Sequence, residues 1–226
     1  MSPDNVLRER FANPTAEHRL ECVYCDILVK DVSPSMDEEG FETRKNKRVL
    51  MHEATASFLE LKRERRPLDY VAIVTYGCVG QLVCPLVNVV DGHRKLCDAL
   101  DQTRRIRSGG TCIKEGLAIA LGVCGNSPIN TNTCGLPTVT RLLAYTDGHD
   151  ASMHAARDYA HRLKERGVVI ETFGIARTPR AVNESFLREI ATEDATGFVH
   201  YRFLGDGATI SRTFSQLATG MLTFEA

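Results

Sequence analysis

Five oxygen-bearing side chains are placed where they could serve one cation: Asp31, Ser33, Ser35, Thr111 and Asp147. The first three fall in Asp31-Val32-Ser33-Pro34-Ser35, directly behind the apolar run Ile27-Leu28-Val29. Thr111 closes the stretch Ser108-Gly109-Gly110-Thr111, and Asp147 lies in Thr146-Asp147-Gly148, behind Thr138–Thr146 (TVTRLLAYT). Carboxylates and hydroxyls are hard donors that suit an oxygen-loving divalent ion. Mg²⁺ takes six oxygens in an octahedron and keeps several waters; Mn²⁺ and Ca²⁺ also accept such ligands, although few carboxylates favour the smaller ions. The set holds neither His nor Cys, which argues against zinc. Two serines spaced i, i+2 can turn toward one point in a tight loop. Gly109 and Gly110 let the backbone approach closely, and Gly148 permits a sharp exit after Asp147.

These residues need a scaffold that brings three distant loops to one edge. Strands are expected at Cys22–Lys30, Tyr70–Tyr76, Gln81–Val90, Thr138–Thr146, Val168–Phe173 and Gly197–Arg202, from apolar and β-branched runs. Pro85 demotes the third of these to an edge. Helical spacing marks Lys47–Arg65, ended by Pro67, then His93–Thr103, Cys112–Val123, Ala151–Arg166 with Gly167 as cap, Arg180–Thr192 and Ala208–Leu222. Gly125–Pro137 reads as a loop. Strand and helix alternate, which predicts a doubly wound α/β fold: a mainly parallel sheet with helices on both faces. In such sheets ligands bind beyond the carboxyl ends of the strands, where the five residues fall.

The bulk composition excludes several classes. Lys+Arg number 28 and Asp+Glu 29, so the net charge of −1 gives no field for nucleic acid or an anionic membrane. Trp is absent and aromatics make up 7%, which argues against a base-stacking surface. No run approaches the roughly 20 apolar residues of a membrane span. Residues 1–20 are polar and read as an N-terminal arm without secretory character, ahead of one domain over residues 21–226; a cytoplasmic location is expected. The 8 cysteines are expected to be reduced and mostly buried thiols. Cys22-Val-Tyr-Cys25 resembles half a zinc site, but no second pair exists, and residues three apart on a strand point to opposite faces.

Taken together, Asp31-x-Ser33-x-Ser35, the Gly-Gly-Thr loop and Thr146-Asp147-Gly148 resemble the metal-ion-dependent adhesion site of von Willebrand factor A-type domains, over roughly residues 20 to 222. The resemblance implies a Rossmann-like, six-stranded sheet whose strand at 81–90 is an antiparallel edge. It implies that Ser33, Ser35 and Thr111 donate hydroxyl oxygens to the ion, and that Asp31 and Asp147 bind it directly or through water. An Asp or Glu of a protein partner then takes the remaining position, because an ion with few negative ligands stays electrophilic. Pro34 stands where the family often has glycine; it fixes φ without removing a ligand. The family also implies a last helix, Ala208–Leu222, able to shift on binding. Intracellular relatives serve AAA-type ATPases, metal chelatases or signalling assemblies.

Other readings stand beside this one. Each of the five residues alone could simply cap a loop or helix. Two aspartates around Mg²⁺ could also support phosphoryl transfer. Against an enzyme, the chain has no GxxxxGK[ST] loop, no Asp two residues after Asp31, and no Gly-x-Ser-x-Gly elbow. His149 and Asp150 are expected as a solvated loop pair. Asp37, Glu38 and Glu39 form either a rim beside the ion or a plain acidic loop. Arg104, Arg105 and Arg107 either steer an acidic partner or are merely exposed. Lys62, Arg63, Arg65 and Arg66 are expected as a solvated helix end.

Overall fold

A computed structural model of the chain describes residues 22–38, 45–125, 135–147, 150 and 152–220. The arm over residues 1–20, residue Glu39, Cys134, His149 and most of the 125–137 loop lie outside these residues.

Six strands form one sheet: β1 (Val23–Asp31), β2 (Tyr70–Tyr76), β3 (Gly80–Asn88), β4 (Thr138–Thr146), β5 (Val169–Ile175) and β6 (Tyr201–Leu204). Their spatial order is β3-β2-β1-β4-β5-β6. All neighbours run parallel except β3, which returns antiparallel to β2 at the edge. Pro85 lies within it, where a missing N–H is tolerated. Among the described residues six α-helices cover the sheet: α1 (Lys47–Arg65), α2 (His93–Thr103), α3 (Ile113–Gly125), α4 (Met153–Glu165), α5 (Glu184–Ile190) and α6 (Gly207–Thr219).

The strand period of two sorts the core into two layers. Leu28, Val71, Ile73, Leu143 and Tyr145 pack under α1, α2 and α6. Ile27, Val29, Ala72, Val74, Leu142 and Ala144 pack under α3, α4 and α5. Phe214 of α6 sits against Phe58, Tyr145 and Phe173, with ring centroids 5.7–6.2 Å apart. Gly116 lets α3 lie close to the sheet: a Cβ there would meet Val29 Cγ1 at 2.6 Å. None of the described helices is long and apolar enough to cross a membrane.

Two expected boundaries are corrected. Arg180–Thr192 is not one helix. A 3₁₀ turn covers Pro179–Ala181, and Asn183 caps α5 by accepting from Phe186 N at 3.3 Å. Thr192 has left the helix; its Oγ1 accepts from Ile170 N of β5 at 2.8 Å. The last strand starts at Tyr201, because Gly197 (φ 84°) turns the chain and Glu193 bridges Val199.

The basic end of α1 is also corrected. Lys62 is fully buried and Arg66 nearly so, while Arg63 and Arg65 are exposed. Lys62 Nζ lies 2.8 Å from Asp26 Oδ2 and pairs with Asp69. Arg66 Nη2 donates to Cys22 O at 2.6 Å, and Arg141 forks onto both Asp26 oxygens at 2.7 and 3.0 Å. These groups sit at the amino ends of β1, β2 and β4, opposite the candidate site. The spacing of α1 alone could not reveal them, because their partners come from strands.

The seven described cysteines are free thiols. Cys22, Cys25 and Cys84 are buried, but Cys97, Cys112 and Cys124 are only half-buried and Cys78 is exposed, so the expectation of mostly buried thiols holds for part of the set.

Candidate metal centre

The carboxyl ends of β1, β2 and β4 are level. Asp31 pairs in register with Tyr76, and Lys30 with Tyr145, so Asp31 lies beside Thr146. Thr146 Oγ1 donates to Asp31 Oδ2 at 2.6 Å, and Tyr76 OH reaches the same oxygen at 3.4 Å. Asp31 Oδ1 accepts from Ser33 N at 2.8 Å. Both Asp31 oxygens are thus occupied by the protein, which suits a carboxylate that would meet an ion through water. Burial pushes the Asp31 carboxyl above its ordinary range; bonds from Ser33 and Thr146 pull it back, and the neighbouring Asp147 adds to the rise.

The loop behind β1 makes a 3₁₀ turn, Pro34–Asp37, with Pro34 at its first position. Met36 anchors it in the core. Ser33 stands at the N-cap yet makes no side-chain capping bond. Its buried hydroxyl instead faces that of Ser35, 3.0 Å away. Simple capping therefore does not account for the Ser33 hydroxyl.

Arg48, which sequence reasoning missed, holds this loop. Its Nη2 donates to Val32 O and Ser33 O, each at 3.2 Å, its Nη1 to Ile106 O at 3.2 Å, and its fork grips Asp37 at 2.7 and 3.0 Å. Arg107 Nε also lies 3.2 Å from Asp37. Asp37 and Arg107 thus pair with each other at the surface, where Arg107 stays exposed.

Asp147 is buried behind β4. Its Oδ2 accepts from Lys47 Nζ at 3.2 Å, and its Oδ1 has no hydrogen-bond partner among the described residues. An orphaned buried carboxylate oxygen is rare unless an ion or water completes it. Lys47 occupies the first turn of α1, where the helix dipole disfavours a cation. The carboxylate, not the helix, holds it there.

Thr111 stands ahead of α3 and is half-buried. Among the described residues no hydrogen bond links it to the other four. Its position is set by neighbours: Cys112 N donates to Gly77 O at 3.0 Å, and Cys78 N donates to Ser108 Oγ at 2.6 Å. Gly77 must be glycine for this approach, since a Cβ would meet Ser108 Cβ at 2.1 Å. Asp150 accepts from Ile113 N and from Ser152 N and Oγ, so it caps α3 from another loop. It is a tie between the Thr111 and Asp147 loops, not a solvated residue. The pattern DGHD carries no signal of that cap, because the partner amide is 37 residues away.

A family model described as von Willebrand factor type A domain matches residues 27–214. The chain belongs to that family. VWA domains serve broadly as protein-interaction modules and commonly bind a divalent metal. Solved structures share the fold at low identity. A von Willebrand factor type A protein from Catenulispora acidiphila is 18% identical with TM-score 0.67, over 88% of this chain and 42% of that one. The PilB minor pilin from Streptococcus sanguinis is 12% identical with TM-score 0.67, over 90% and 63%. The SpRpn10 VWA domain is 16% identical with TM-score 0.62, over 84% and 92%. The chain thus spans less than two thirds of the first two proteins and most of the third. No curated protein is significantly similar in sequence.

Proposed function

We propose that this VWA domain is a divalent-cation-dependent, non-enzymatic protein-binding module. Ser33, Ser35 and Thr111 hold the ion through hydroxyls, Asp147 through its free oxygen, and Asp31 through water. Mg²⁺ is the expected ion, with Mn²⁺ and Ca²⁺ as alternatives of the same chemistry. Once bound, the ion supplies an electrophilic position for an Asp or Glu carboxylate of the partner. The setting under this reading is a cytoplasmic multiprotein assembly, with an AAA-type ATPase, chelatase or signalling complex as the class of partner.

The observation that carries the reading is the buried Asp147 Oδ1, without a hydrogen-bond partner among the described residues, at a sheet edge where the Ser33 hydroxyl makes no capping bond. Capping would have consumed that hydroxyl. The chain's own contribution is to exclude competitors and fix geometry. Arg48 locks the Ser33 carbonyl, Gly77 admits the Thr111 loop, and Thr146 orients Asp31.

The test is a pull-down from lysate of the source cells, with wild-type bait in Mg²⁺, wild-type bait in EDTA, and Asp31→Ala bait in Mg²⁺. A protein retained only by wild type in Mg²⁺, with circular dichroism unchanged in the variant, supports the reading. The same proteins retained in all three arms would overturn it. Steady turnover of a generic phosphoester that disappears in Asp31→Ala would instead make the domain an enzyme.

A further inference from the structure

A second group of ligating atoms lies on the face opposite α3, between α1 and α2. Glu60 projects from α1, while His93 and Cys97 lie one turn apart on α2, where i and i+4 share a face. His93 Nε2 is 3.0 Å from Glu60 Oε1 and 3.5 Å from Cys97 Sγ. All three ligand atoms fall within 4.8 Å of one another.

We propose that Glu60, His93 and Cys97 form a cation site for Zn²⁺ or a similar borderline ion, separate from the oxygen site at Asp31. Three arguments converge. The donor set is mixed N, S and O, which zinc accepts and Mg²⁺ does not. The separations are those of ligands around a common centre. Bonds of about 2.3 Å to sulfur and about 2.0 Å to nitrogen at tetrahedral angles put S and N roughly 3.5 Å apart. Finally, one ring nitrogen, Nε2, has both a carboxylate oxygen and a thiol sulfur within reach, so three different donor atoms converge on one point. A cation at the shared point satisfies all three atoms together.

The surroundings permit this use. His93 opens α2, and its Nε2 is the ring nitrogen that faces both Glu60 and Cys97. Glu60 keeps Oε1 for the ion while Oε2 pairs with Arg63 at 2.8 Å. Burial, helped by Glu60, Asp101 and Asp98, raises the Cys97 thiol above its ordinary value. Glu60 is half-exposed, so a fourth position is open to water. Such an ion would pin the start of α2 to the C-terminal part of α1, next to Gly92, whose turn packs tightly on Val87.

The experiment is titration of the full chain with Co²⁺, in a phosphine reductant that does not bind metals. Support is one equivalent bound with an intense near-ultraviolet thiolate-to-cobalt band and tetrahedral visible bands, both discharged by Zn²⁺. Cys97→Ser abolishes the near-ultraviolet band, and His93→Gln weakens binding at least tenfold. Cys78→Ser, Cys112→Ser and Asp31→Ala leave the spectrum unchanged, which separates this site from the Asp31 centre and from the thiols near it. Metal-free unfolding curves show that Cys97→Ser and His93→Gln are folded. A band that survives in Cys97→Ser, or a folded wild type that binds Co²⁺ without any thiolate band, overturns the proposal.

Discussion

Lys47 and Asp147, 100 positions apart, meet at the open end of the sheet with Nζ 3.2 Å from Oδ2. Both are buried, so the ammonium acts as a tethered cation beside the proposed ion. Replacing it has two effects of opposite sign. Lys47→Met leaves Asp147 buried without its partner, which destabilises the metal-free domain by about 3–5 kcal/mol. The same change removes a repulsive charge, so Mg²⁺ binds roughly tenfold or more tightly. Calorimetric titration with Mg²⁺ and unfolding with and without the ion measure both. Unchanged affinity would show that the ammonium and the ion do not compete.

Asp150 caps α3 across the gap between two loops. In Asp150→Ala the α3 terminus loses an acceptor worth about 1 kcal/mol. Thr111, two residues before that amide, loses its fixed position. Mg²⁺ affinity is expected to fall several-fold while the unfolding temperature drops by only a few degrees. A variant with wild-type affinity would place Thr111 outside the ligand set.

Lys62 bridges Asp26 and Asp69 in a site closed to solvent. Removing one partner of such a network strands buried charge, so Lys62→Met is expected to lose about 3–5 kcal/mol of stability. Urea unfolding checks this. Because the network lies at the opposite end of the strands, Mg²⁺ binding by the folded fraction is expected to be unchanged.

Glu171 gives the domain a pH dependence. Burial pushes its carboxyl up from 4.5 to about 7; Arg141 opposes the shift and Asp26 reinforces it. Arg141 Nη1 stays 3.9 Å from Glu171 because its fork is committed to Asp26. A pKa raised in the folded state means that folding favours the protonated acid. Its contribution is full below pH 4.5 and is lost as pH rises through about 7. Glu171→Gln keeps the neutral shape. It is therefore expected to match wild type at pH 4 and to exceed it at pH 8, by on the order of 3 kcal/mol. Equal stability of the two proteins at pH 8 would refute the shift.

Much of this molecule is local in origin and therefore legible in its sequence. The run YVAIVTY can only be a buried strand, and Tyr70–Tyr76 is β2. The charges and spacing of Lys47–Arg65 mark α1 to the residue, and Pro85 assigns β3 to the edge. Hydrophobic period and backbone chemistry act over a few neighbours, so such elements show in sequence. The ends of α5 and β6 do not, because they depend on Thr192 joining β5 and on the Glu193–Val199 bridge.

By itself the sequence determined the alternation of strand and helix, and therefore a sheet whose carboxyl edge receives Asp31, Ser33, Ser35, Thr111 and Asp147. It also determined the donor types, hence the hardness of the ion that suits them. Only the tertiary structure decided which charges are internal. Lys47, Arg48, Lys62 and Asp150 look like surface residues on their own elements. Their roles come from partners on other elements, as far as 100 positions away. Desolvation is the reason: a charge reads as solvated in a sequence, and becomes structural only where packing removes water and leaves one opposite group within reach.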